Sequence, residues 1–168
     1  MEQSHILAFI KSTRNVFETM LQLSVEVGTP VLSTVPDSSF DVSAIIGMSG
    51  DLDGSVVLSF RRETAMRLVS IFCGTEVADD AEDLIDAVGE LANMITGGAK
   101  AQLDGKKVTI SCPSVVIGAQ HSVHGSKDLV RMSIPCSCDC GEFTVEVAVR
   151  PSSASSQDQT VISSAEAA

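Results

Sequence analysis

The spacing of apolar positions predicts alternating helices and hairpins. From about Glu2 to Leu23, apolar residues, among them Met20, recur every three or four positions, as on one face of a helix. A hairpin is predicted between Val42 and Phe60, where two apolar runs flank a glycine-rich turn. A second helix is predicted from Arg62 to Cys73 and ends at Gly74. The first half of the chain is therefore predicted to be helix, hairpin, helix.

The second half begins with a longer helix, predicted from about Ala81 to Leu103. Acidic residues precede it, and Asp79 or Asp80 is the expected N-cap. Further strands are predicted over Val108–Ile110, Ser114–Gly118, Leu129–Pro135 and Glu142–Val149. Val31 and Leu32 are expected to begin a short strand or loop. In the last strand apolar residues alternate with Thr144, Glu146 and Ala148, which predicts two distinct faces.

Two helix-plus-hairpin halves predict an α+β fold, a mostly antiparallel sheet with long helices packed on one face. The hairpins over residues 44–60 and 132–149 are similar in placement and turn type, which suggests a pseudo-repeat. We expect one domain over residues 1–150, because a chain of 168 residues is large enough to bury a substantial core. Residues 151–168 are polar and of low complexity, and a flexible tail is expected there.

The composition and charge of the chain limit the ligands and the location that we expect for the protein. Apolar residues make up 44% of the chain and its formal net charge is −11. Nucleic acids and anionic membranes bind basic patches, so we expect neither as a ligand. The N-terminus lacks the basic segment of a signal peptide, and no apolar run approaches the roughly 18 residues that span a bilayer. These features favour a cytoplasmic protein whose partner carries local positive charge.

Three of the five cysteines are closely spaced. Cys136, Cys138 and Cys140 would place their sulfurs on one side of a strand. Structural zinc sites need a fourth ligand and usually two residues between paired cysteines, so we favour small buried or half-buried residues at a strand end. A metal-dependent enzyme that adds His121 or His124 is an alternative, although two histidines in a polar loop are more often exposed than ligands.

The third helix carries two stripes of opposite character. The apolar stripe consists of Leu84, Val88, Leu91 and Ile95, and the polar stripe of Asp86, Glu90, Asn93 and Gly97. Their offset of two residues turns the helix by about 200°, so the stripes lie on opposite faces. The polar stripe is expected to face outward, with Glu90 and Asn93 side by side. Solvated helix faces usually carry such residues without any function.

Gly97 and Gly98 suggest that the outward face has a use. Each glycine costs a helix up to about 1 kcal/mol relative to Ala. A helix that accepts both keeps its surface low, so that another protein can approach closely. The alternative is that the glycines let this helix pack tightly against its neighbour.

This helix resembles the active-site helix of a known family. The pattern Asp86-x-x-x-Glu90-x-x-Asn93, continued by Gly97-x-x-Lys100, resembles that of the CheC/CheX/FliY family of CheY-phosphate phosphatases. The resemblance covers about residues 1–150. By itself the Glu-x-x-Asn pair is a weak motif, but in a helix between these hairpins it is fairly specific.

Within this family the chain is most similar to the CheX branch. The family signature continues with a proline, for which Pro113 is the nearest candidate, a few residues early. CheC proteins carry two such helices, but here Glu18 is followed by Leu21 where the amide would stand, so we expect one site per chain. CheX proteins are homodimers, and the resemblance therefore implies a homodimer with two sites.

The resemblance implies hydrolysis of the aspartyl phosphate of a phosphorylated CheY-type response regulator. Asn93 would orient the attacking water and Glu90 would pair with the regulator's lysine. Asp86, Gly97 and Gly98 would belong to the docking surface. No cofactor of its own is implied, because the regulator supplies the Mg²⁺. The alternative in the same fold is a non-catalytic binding or scaffold module in two-component or flagellar-switch signalling.

Overall fold

Helices and strands alternate along the part of the chain that the computed structural model describes, residues 2–33, 40–77, 82–126 and 128–152. The helices are α1 (Gln3–Val16), α2 (Arg62–Cys73) and α3 (Glu82–Lys100). The strands are β1 (Glu26–Val27), β2 (Val31–Ser33), β3 (Val42–Gly50), β4 (Leu52–Phe60), β5 (Val108–Ile110), β6 (Ser114–Ile117), β7 (Arg131–Cys138) and β8 (Gly141–Pro151). The N-cap expected at Asp79 or Asp80 and the tail beyond Ser152 lie outside these ranges.

The eight described strands form one antiparallel sheet. Its main order is β1-β7-β8-β4-β3-β5, while β2 also pairs with β7 and β6 with β3. The hairpins β3–β4 and β7–β8 lie side by side at the centre, since β4 pairs with β8 from Leu52 to Phe60. The predicted α+β fold is confirmed. β7 is displaced from its prediction, because it begins at Arg131 and extends beyond Pro135 to Cys138.

An aromatic cluster joins the first helix to the centre of the sheet. Phe60 and Phe143 are paired across β4 and β8, with ring centroids 5.5 Å apart. The ring of Phe17 stacks on Phe143 at a centroid distance of 4.7 Å. All three rings are almost completely buried. Such aromatic pairs add about 0.5–1.5 kcal/mol to the stabilisation from burial alone, so this cluster anchors the end of α1 on the sheet.

Phe17 begins a short π-helical turn, Phe17–Leu21, at the end of α1. The wider turn of a π-helix changes the phase of the side chains, and both Phe17 and Leu21 are buried. Met20, which the α-helical spacing places on the apolar face, is instead 46% exposed. That prediction is wrong because it assumes the α-helical period through to the end of the helix.

The loop between β6 and β7 covers part of the sheet face opposite the helices. Nδ1 of His121 donates to the carbonyl oxygen of Gly118 at 2.8 Å, and Nε2 lies 2.8 Å from the hydroxyl of Ser43. The hydroxyls of Ser43 and Ser59 are also 2.8 Å apart. His121 is therefore half-buried and hydrogen-bonded, contrary to the expectation of an exposed loop histidine, whereas His124 is exposed.

A buried ion pair extends this polar layer. Nη1 of Arg131 lies 3.2 Å from the carboxylate of Glu146 and donates to the carbonyl oxygen of Val123 at 2.9 Å. Both faces of β8 are consequently buried, including Thr144, Glu146 and Ala148 on the side away from the helices. The alternation in β8 thus separates an apolar core from a polar buried layer.

α3 lies over β3 and contacts both other helices. Its predicted apolar stripe, Leu84, Val88, Leu91 and Ile95, is at most 1% exposed. None of the described residues covers the opposite side of the helix, where Asp86 and Glu90 are exposed. Within the described ranges, no helix combines the length and hydropathy needed to cross a bilayer.

Replacing Phe143 with Ala is expected to lower the free energy of unfolding by about 3–5 kcal/mol, the usual loss for a buried aromatic ring. The substitution removes two ring contacts and leaves a cavity between the first helix and the sheet. Denaturant unfolding measures the change. Phe72→Ala is the control, since Phe72 is only partly buried on α2 and should cost clearly less. Equal losses in the two variants would show that Phe143 has no special place in the core.

Candidate functional site

The polar stripe of α3 faces away from the sheet, as its spacing predicts. Asp86 and Glu90 are exposed, while Asn93 and Gly97 are half-buried. Lys100 follows at the exposed end of the helix. The stripe is therefore an open surface on a rigid element that the core holds from behind.

The side chains of Glu90 and Asn93 are not engaged elsewhere in the fold. Over the ranges that the structure describes, neither forms a side-chain hydrogen bond or an ion pair. A Glu carboxylate accepts hydrogen bonds through two oxygens, and an Asn amide both donates and accepts. These groups are available to another molecule, with an acid and an amide one helical turn apart.

Pro113 packs against one flank of α3 close to the stripe. A Cβ at Gly89 would lie 3.2 Å from Cγ of Pro113 and 3.5 Å from a methyl group of Val115. Gly89 directly precedes Glu90, so the loop between β5 and β6 returns Pro113 to the side of the polar stripe. Pro113 therefore lies beside the helix, although it comes a few residues earlier in the sequence than the family signature places its proline.

Ser12 of α1 packs against the other flank. Its hydroxyl donates to the carbonyl oxygen of Ile95 at 2.7 Å, and a Cβ at Gly98 would collide with that hydroxyl. A Cβ at Gly97 would meet nothing within 4 Å. The two glycines therefore differ, because Gly98 permits close packing of α1 and α3 whereas Gly97 keeps the outward surface low.

The sequence gives little indication that Ser12 contacts the third helix. It is one small hydroxyl residue on the buried side of α1, and it is only 2% exposed. Its partner on α3 lies 83 residues away in the chain. Only the side-chain spacing of α1, which places Ser12 between Ala8 and Val16 on one face, hints at a helix contact there.

The first helix has a buried leucine where a second amide would stand. Glu18 is exposed in the π-helical turn, but Leu21 is 2% exposed and packs in the hydrophobic core. α1 therefore presents no pair equivalent to Glu90 and Asn93, which agrees with one stripe per chain.

Cys136 and His121 lie on opposite faces of the sheet. Cys136 pairs with Phe143 on the helix-facing side, whereas His121 contacts Ser43 on the other side. Burial raises the pKa of the Cys136 thiol to about 12 and also raises that of Cys140. The ranges described hold no group of three or more His, Cys, Asp or Glu arranged for a metal ion. The geometry gives the metal-enzyme alternative no support.

Comparison with known proteins gives consistent matches. The family model for the chemotaxis phosphatase CheX matches residues 42–137, which include β3, α3 and most of β7. The CheY-P phosphatase CheX of Thermotoga maritima is 28% identical over 137 residues, which cover 80% of this chain and 88% of that protein.

Solved structures agree with this match. A CheC-like superfamily protein from Shewanella sp. PV-4 is 31% identical, with a TM-score of 0.83 over 89% of this chain and 99% of that chain. The structure of the CheX–CheY–BeF3–Mg²⁺ complex from Borrelia burgdorferi contains a chain that is 26% identical, with a TM-score of 0.74 over 87% and 97% of the two chains.

The two glycines of α3 provide a matched test of this geometry. Gly97→Ala is expected to stabilise the protein by up to about 1 kcal/mol, because Ala is the better helix former and its methyl group meets open space. Gly98→Ala is expected to destabilise it, because the methyl group displaces the hydroxyl of Ser12. Thermal unfolding of both variants measures the difference. The same sign of change in both would argue against the close contact between α1 and α3.

Proposed function

This chain belongs to the CheX family of chemotaxis phosphatases, and we propose that it hydrolyses the aspartyl phosphate of a CheY-type response regulator. The observation that carries the proposal is the outward, unengaged pair of Glu90 and Asn93 on α3. The relatives named as CheY-P phosphatase and as part of a CheX–CheY complex support the choice of substrate.

In this proposal the active site is shared between two proteins. A phosphorylated regulator already holds the phosphoryl group, a lysine and the Mg²⁺, so this chain needs no metal of its own. Phosphoryl transfer has a loose transition state, and positioning with electrostatic stabilisation supplies most of the catalysis. What remains for this chain is to place a water molecule in line with the phosphorus–oxygen bond that breaks.

We assign to Asn93 the role of orienting the attacking water. Its amide can donate a hydrogen bond to a phosphoryl oxygen and accept one from the attacking water, which a carboxylate or an ammonium group cannot do alone. Asn93 is half-buried on the surface of a helix whose opposite side is packed in the core. It would thus enter the partner's site as a fixed group rather than a mobile one.

We assign to Glu90 the role of fixing the position in which the regulator docks. Its exposed carboxylate would pair with the lysine of the regulator's active site in a charge-assisted hydrogen bond. Asp86 adds a second acid one turn earlier, and Gly97 leaves room for the approaching surface. The net charge of −11 also favours a partner with local positive charge.

We further propose that the protein is a homodimer. Each chain carries its own complete stripe, so a dimer would present two independent sites.

Asn93→Ala is expected to reduce dephosphorylation of a phosphorylated CheY-type regulator by on the order of 100-fold, because the water loses its orienting group. Phosphate release at saturating regulator measures the rate. Binding of the regulator activated with beryllofluoride should persist in this variant. If Asn93→Ala kept the full rate, Asn93 could not position the water. If the wild-type chain bound the regulator without accelerating hydrolysis, the chain would be a binding module of the same fold.

Glu90→Ala is expected to act mainly on docking. Loss of a hydrogen bond between charged groups, about 1.5–3 kcal/mol, corresponds to a rise of about tenfold or more in KM for the phosphorylated regulator. Added salt should weaken wild-type binding more than binding of the variant. Glu63→Ala is the matched control, since Glu63 is an exposed glutamate on α2, outside the stripe. An unchanged KM in Glu90→Ala, or an equal rise in Glu63→Ala, would count against the docking role.

A further inference from the structure

The carbonyl oxygen that Ser12 contacts belongs to the same helical turn as Asn93. Ser12 donates to Ile95 at 2.7 Å in a buried environment, and Gly98 opens the space for that hydroxyl. The bond is directional and joins two helices, whereas the side chains packed behind α3, from the sheet and the neighbouring helices, are mostly apolar. Apolar contacts are not directional, so they do not by themselves fix how far a helix slides along its axis.

Ser12 and Pro113 hold α3 from opposite flanks. Successive residues of an α-helix turn by about 100°, so Gly89, which faces Pro113, and Gly98, which faces Ser12, point in opposite directions. Glu90 and Asn93 lie between these two glycines in the sequence. The helix is thus fixed on both sides of the pair that faces outward.

We propose that Ser12 is a positioning residue for Asn93, an inference that rests on the proposed phosphatase function. Its hydrogen bond to Ile95 sets the axial position and rotation of α3 relative to α1. An amide that must reach into a partner's site tolerates an error of about 0.5 Å. A displacement of about 1 Å can cost on the order of 100-fold in rate.

Thr13 offers a matched control for a purely structural role. Its hydroxyl donates to the carbonyl oxygen of Phe9 at 2.8 Å, and the residue is 1% exposed. The two bonds are alike in type, length and burial, but the bond of Thr13 stays within α1. Ser12→Ala and Thr13→Val should therefore lower thermal stability by similar amounts.

The test is steady-state dephosphorylation of a CheY-type regulator, with binding of the beryllofluoride-activated regulator measured in parallel. Ser12→Ala is expected to lower kcat about tenfold while KM and the binding affinity stay unchanged. Thr13→Val is expected to keep the wild-type kcat. A fully active Ser12→Ala, or an equal loss of kcat in Thr13→Val, overturns the positioning role. An inactive wild type overturns the proposed function and this inference with it, so the two failures are distinguishable.

Gly98→Ala supplies a second measurement should Ser12→Ala fold poorly. The new methyl group displaces the hydroxyl of Ser12, while its distance to Cβ of Ser12, 3.5 Å, is an ordinary contact. This variant should lose kcat as Ser12→Ala does, and the double variant should lose no more than either single one. Additive losses in the double variant would mean that the two substitutions act on different interactions, and would overturn the shared contact.

Discussion

The structure depends on the way α3 is buried on one side only. Leu84, Val88, Leu91 and Ile95 are removed from water by the sheet and the neighbouring helices, and burying side chains of this size contributes about 1.5–3 kcal/mol each. Over the residues that the structure describes, no such contact covers the opposite side of the helix. Polar side chains such as Glu90 and Asn93 can remain there without a desolvation cost, on a backbone that the core holds in place. The outward pair of Glu90 and Asn93 follows from this asymmetry.

The central strand β8 is buried on both of its faces, but by different means. The helix side is closed by apolar side chains and the cluster of Phe17, Phe60 and Phe143. The other side is partly closed by a loop that uses hydrogen bonds and the ion pair of Arg131 with Glu146. Buried polar groups need partners, which is why this loop carries His121 and a backbone carbonyl aimed at the sheet. The same separation of faces keeps His121 away from Cys136.

A site of this kind needs little chemistry of its own. In the proposed function this chain supplies two polar side chains, and the reactive phosphoryl group would come from the partner. Under that proposal accuracy of placement would be the main structural demand, and the close contacts at Gly89 and Gly98 suit it. Glycine at these two positions lets Pro113 and Ser12 approach the helix more closely than any other residue would permit.

The sequence by itself determined the features that depend on local periodicity. The strand alternation and the helical stripe locate β8, α3 and the outward pair of Glu90 and Asn93, because neighbours along a helix or strand have a fixed angular relation. The resemblance to the family then turns that pair into a functional hypothesis.

Only the tertiary structure decided the rest. The exposure of Met20 follows from a π-helical turn that suits the packing of Phe17 on Phe143. The different environments of Gly97 and Gly98 follow from the position of Ser12, 83 residues from its partner in the chain. The half-buried His121 lies within hydrogen-bond distance of Ser43, 78 residues away in the chain. In each case the deciding contact joins segments whose relative placement is set by the packing of the whole core, which no local pattern encodes.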